Sequence, residues 1–183
     1  MGASSVTGVG FGAVERSQPR ILNHVKSENL AVGSVNSSNI DNRPLLITTS
    51  TYTLTHDDAN KYIIIDRAAG STITMPASLG NGDVFKFIVA TTVTSNNITI
   101  QVANTSDVFV GNALMCMDGG VGISGFESSL VPSADSFVMN GTTTGGYAGD
   151  MMEIVDIKTN KFFAKYIGAG TSTEATPFAS SVS

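Results

Sequence analysis

His56-Asp57-Asp58 is the one place where this chain sets an imidazole beside two carboxylates, the combination that metal sites and acid–base pairs use. The runs on either side have strand composition, so the triplet falls in a turn, where Asp side chains routinely cap bends. It reads as a solvated turn, and no metal ligand set is expected. The other histidine, His24, lies in a stretch without secondary-structure period, and two histidines among many serines specify no nucleophilic triad. Gly120, Gly122 and Gly125 fit the dinucleotide-binding spacing by letter. That motif needs a strand before the glycines and a helix after them, and Pro132 stops any helix starting at Phe126. Gly8, Gly10 and Gly12 lack both a preceding strand and the lysine of a phosphate loop, so backbone freedom accounts for them. Cys116 is the single cysteine; inside the apolar run 113–117 it reads as a small buried hydrophobe. With no Trp and only four Tyr, the aromatic surface that grips sugar rings is thin. No catalytic residue, cofactor or metal is expected, and the chain does not read as an enzyme.

What would position any site is a series of β-type runs. Apolar and polar residues alternate through Tyr52 and Leu54 and through Ile73 and Met75. The runs 61–66 and 83–89 are denser in Ile, Val and Phe. The strands expected are 45–54, 61–67, 71–75, 83–93, 97–102, 108–117, 136–139, 151–157 and 161–167. The last two form a hairpin about Thr159 and Asn160. Eight or nine short strands with polar turns predict an all-β, antiparallel β-sandwich, jelly-roll-like, over residues 44–168. Residues 118–144 are glycine-rich and read as an irregular excursion.

Outside that body the chain changes character. Residues 1–43 show neither a 3.6 nor a 2.0 period and read as an extended N-terminal arm with scattered large apolar residues. Residues 169–183 read as an extended C-terminal tail with Phe178 as its only anchor.

The 183 residues carry a net charge of −5, and only 14% are charged. Wrapping nucleic acid needs clustered Lys and Arg, so no nucleic-acid partner is expected. No apolar run approaches the roughly 18 residues that span a bilayer, and the first residues lack a secretory pattern, so no membrane partner is expected and synthesis is placed in a cytoplasm. Between Lys86 and Lys158 there is no Lys or Arg, while Asp107, Asp118, Glu127, Asp135, Asp150, Glu153 and Asp156 fall in that interval. This predicts an acidic side to the fold.

The succession Tyr52-Thr-Leu-Thr, Lys61-Tyr-Ile-Ile-Ile-Asp, Gly70-Ser-Thr-Ile-Thr-Met-Pro, Gly82-Asp-Val-Phe-Lys-Phe-Ile-Val and Asn97-Ile-Thr-Ile resembles virion structural proteins of tailed bacteriophages. The resemblance covers about fifty residues and, with the arm and the hairpin, points to the capsid decoration (cement) type. It implies a location on the capsid surface of the virion, the major capsid protein as partner, and a homotrimer matched to a threefold seat. Phe11, Arg16, Arg20, Ile21 and Leu22 of the arm are the expected capsid contacts. The alternative is a tail-fibre or receptor/carbohydrate-binding module, with Phe126 and Tyr147 as contact candidates.

Overall fold

The structure, a computed structural model, describes residues 43–117 and 122–182, which fall within one compact unit, Asn42–Ser183. Twelve strands run through these residues: β1 Leu45–Ile47, β2 Thr51–Thr53, β3 Tyr62–Ile65, β4 Ser71–Thr74, β5 Val84–Val89, β6 Ile98–Gln101, β7 Val108–Cys116, β8 Ile123–Glu127, β9 Ser136–Met139, β10 Met151–Lys158, β11 Lys161–Ala169 and β12 Phe178–Ala179. They form a seven-stranded sheet in the order β1-β3-β5-β10-β11-β7-β8 and a five-stranded sheet in the order β12-β9-β6-β4-β2. The expected all-β sandwich is present.

The two inner faces make one core. Ile63, Ile65, Phe85, Phe87, Ile154 and Phe162 face inward from the larger sheet, and Ile73, Ile98, Ile100, Phe137 and Met139 from the smaller. Period-two burial follows in β4 and β5, because successive side chains of a strand point to opposite faces. Each of these side chains contributes about 1.5–3 kcal/mol by leaving water.

Strand direction departs from the antiparallel, jelly-roll-like expectation. The chain steps from one sheet to the other with each of its first six strands. As a result β1, β3 and β5 pair in parallel in one sheet, and β2, β4 and β6 in the other. β7 and β11 are parallel as well, whereas β5/β10, β10/β11, β7/β8, β6/β9 and β9/β12 are antiparallel. Both sheets are therefore mixed. The run 45–54, read as one strand, is two: Thr48, Thr49 and Ser50 carry the chain across the sandwich, and Ser71 Oγ donates to Thr49 O at 2.7 Å to hold that crossing. At the crossing from β3 to β4 Gly70 has φ +75, and a Cβ there would sit 2.4 Å from Asn97 O.

Two further segments are more ordered than expected. The excursion over 118–144 contains β8 and a short 3-10 turn, Ser128–Leu130, besides the expected β9. The C-terminal tail returns as β12, where Phe178 is buried and meets Phe137 edge-on at 5.2 Å. The hairpin β10–β11 turns at Asn160, with φ 63, but lies in the middle of the larger sheet.

Candidate interaction surface

The outer face of the seven-stranded sheet is organised in rows set by strand register. One row runs Leu46, Ile64, Ile88, Met151, Ile167, Leu114, Gly125, one residue from each strand. Leu46 is 57% exposed, Met151 50%, Ile167 51% and Leu114 43%. Two positions along, Tyr62, Lys86, Glu153, Lys165, Asn112 and Glu127 form a polar row. Beyond it, Val84, Val155, Phe163 and Val110 form a second apolar row, half-buried throughout.

Apolar rows thus flank a charged one. Glu153 sits in register between Lys86 on β5 and Lys165 on β11, where opposite charges on neighbouring strands support each other. The Lys86 ammonium lies 5.7 Å from the centre of the Tyr62 ring, within cation–π range. Tyr62, Lys86, Met151, Glu153, Lys165 and Ile167 line a shallow hollow of about 260 Å³. All-parallel sheets are covered on both faces, and in this mixed sheet β1, β3 and β5 form such a parallel block. Here one face is packed on the core, and the other presents large aliphatic side chains to water.

The signal for this surface was in the sequence. A strand with one wet face alternates, but Tyr62-Ile-Ile-Ile and Val84-Phe-Lys-Phe-Ile-Val do not. That excess of apolar residues supplies Ile64 and Ile88 to the outer row.

The acidic side is corrected by burial. Asp107, Asp135, Asp150 and Asp156 are all buried, and each carboxylate ties chain segments together instead of facing solvent. Asp156 accepts from Ser78 Oγ, Leu79 N and Gly80 N, each at 2.8 Å. Asp135 accepts from Ser181 N at 2.7 Å and Val182 N at 3.1 Å, anchoring the chain end. Asp107 accepts from Ser78 N at 3.0 Å and Asn104 Nδ2 at 2.8 Å. Asp150 accepts from Gly146 N at 2.7 Å, Tyr147 N at 3.0 Å and Ala169 N at 3.0 Å, and from the hydroxyl of Tyr166. Burial pushes the Tyr166 phenol far above its ordinary range, and the neighbouring Asp150 charge pushes the same way.

His56 stands in a 3-10 turn, His56–Asp58, with Nδ1 2.7 Å from Asp83 Oδ2. Asp83 also accepts from Asn81 Nδ2 at 2.9 Å, and Asp58 accepts from Thr55 N at 2.9 Å. These groups are used in holding the turn. Gly125 lies within β8, and a single 3-10 turn follows, so a strand–glycine–helix phosphate site does not form there. Cys116 is exposed at the end of β7, contrary to the buried position expected, because it lies on the outward side of the strand.

The two aromatic contact candidates are engaged within the fold. Phe126 packs against the core cluster, and Tyr147 donates its hydroxyl to Thr171 Oγ1 at 3.0 Å. Phe11, Arg16, Arg20, Ile21, Leu22 and His24 lie outside the described residues. Compared with protein-family models, curated proteins and solved structures, the chain matches none of them.

Proposed function

We propose that the chain is a virion structural protein of the capsid-decoration type, a non-enzymatic component that works by protein–protein contact. The observation that carries this reading is the outer face of the seven-stranded sheet, where apolar rows one residue per strand flank a charged row. A surface of that kind is suited to a protein cover. Four buried aspartates tie loops and the chain end to the strands of the body. The virion class itself rests on the resemblance of the strand motifs between Tyr52 and Ile100. In this reading the arm residues Phe11, Arg16, Arg20, Ile21 and Leu22 reach the major capsid protein on the capsid surface.

Copies per purified particle, counted by mass spectrometry against the major capsid protein, test the reading. A ratio near one per capsid subunit, or a simple fraction of it, is expected. A few dozen copies would assign the chain to a tail or fibre, and absence from particles would remove the virion reading. Replacing Arg16 and Arg20 with Glu should lower particle occupancy severalfold while leaving the β body folded by circular dichroism. Full occupancy in that variant would exclude the arm as the capsid contact.

A further inference from the structure

We infer that the outer face of the seven-stranded sheet is the seat of a second copy of this chain, packed face to face about a twofold axis that runs along the strands between β10 and β11. The inference uses only this face and stands whether or not the protein belongs to a virion.

Charge complementarity selects the arrangement. A twofold axis across the strands, laid on the polar row so that the two apolar rows meet each other, would set each member of the polar row against itself, Lys86 on Lys86 and Glu153 on Glu153. An axis along the strands reverses the strand order instead. Placed between β10 and β11, it opposes Glu153 to the second copy's Lys165, and Lys165 to the second copy's Glu153. Lys86 then meets Asn112, and Tyr62 meets Glu127. The apolar rows close with the same operation. Met151 falls on Ile167, Ile88 on Leu114, Val155 on Phe163 and Val84 on Val110, while Ile64 faces the bare backbone of Gly125. Moving the axis one strand over, between β5 and β10, would pair Lys86 with Glu153 but leave Phe163 and Val110 outside the contact. All these oppositions follow from the register of the six strand pairs in the sheet.

Size agrees with this choice. The seven strands, about 4.8 Å apart, make a face roughly 29 Å across; β1 falls beyond the second copy's β8, so the six opposed strands span about 24 Å, and six residues of rise on the longer strands give about 20 Å. The product, roughly 480 Å² of flat area, is of the same order as the about 800 Å² of accessible surface that each partner of a standard interface buries. A threefold arrangement built on this same face, roughly 29 Å wide, packs less well. Three faces of that width closed around an axis would each stand about 8 Å from it, whereas packed sheets meet with about 5 Å on each side. A twofold stack fills the space, and a threefold prism leaves a channel.

Sedimentation equilibrium of the full chain, with two single variants, decides it. The wild type is expected to be a dimer with a dissociation constant below about 1 µM. Glu153→Lys and Lys165→Glu each place like charges across the axis and should weaken the dimer at least about tenfold. Mixed in equal amounts they should recover a heterodimer, since every opposed pair is again of opposite sign. A variant that had merely lost its fold would not be rescued by mixing. The inference is overturned by a wild type that stays monomeric at about 100 µM, by a trimer, or by a dimer that neither variant weakens. Rescue by pairing Lys86→Glu with Glu153→Lys, and not by the first pair, would overturn this placement of the axis.

Discussion

Tyr166 keeps its proton because its phenolate would have no water around it and would face the Asp150 carboxylate. The sign of the consequence is fixed by comparing folded and unfolded chains. Below pH about 10 both hold the proton and the group makes stability no function of pH. Above it the unfolded chain releases the proton while the folded one retains it, so stability falls as pH rises, by up to about 1.4 kcal/mol per unit. Urea unfolding from pH 8 to 11.5 should show this decline in the wild type. Tyr166→Phe should remove most of the slope and cost about 1.5–3 kcal/mol at neutral pH, because Asp150 loses a donor. An unchanged slope would mean that other groups govern alkaline unfolding. The buried aspartates carry a related lesson. Residue type alone suggested an acidic surface, but Asp135, Asp150 and Asp156 each accept two or more backbone N–H bonds, while Asp107 accepts one with its Oδ1 left without a partner; sequence does not list such donors. The nearest donor to Asp156 by number is Gly80, on another part of the chain.

Among the elements, β7 is held closely on both sides. It is flanked by β11 in parallel and β8 antiparallel, and at Gly111 the backbone adopts φ +146 while a Cβ there would lie 1.9 Å from Ala164 O. Gly111→Ala should therefore part β7 from β11 and cost about 3 kcal/mol, read as a lower urea midpoint. A change within about 0.5 kcal/mol would mean that the ladder yields at no cost. Strand positions were largely legible, because each strand buries alternate residues; β9 coincides with its expected range, and the hairpin turn is where Asn160 placed it. Pairing was not. A parallel partner lies one circuit of the sandwich away, and the strands of the first sheet begin at Leu45, Tyr62 and Val84, a spacing too uneven to betray a repeat. The crossing at Thr48–Ser50 was invisible for a different reason: three small polar residues in a run of strand formers look like a wet face rather than a change of sheet. The outer apolar row was half-legible, since Ile64 and Ile88 break the alternation, but assembling it needs the register of seven strands.

At the scale of the molecule, the strands and core of the described residues form one unit within 43–182. A fragment spanning 43–183 should accordingly keep the β-type circular dichroism spectrum and unfold in a single cooperative transition. Loss of that transition would mean that the first 42 residues are required for folding. In the same body small polar groups and carboxylates tie the loops, while the wide outer face presents large aliphatic side chains to water. Its topology also bears on biosynthesis. Residues 151–169, the β10–β11 hairpin, fill the centre of the seven-stranded sheet between β5 and β7. As the chain emerges from the ribosome, β5 and β7 must each wait with a bare edge for strands translated much later. The nascent protein is thus open to mispairing with its neighbours until the β10–β11 hairpin has been made, and crowded translation on one message is where that exposure is greatest.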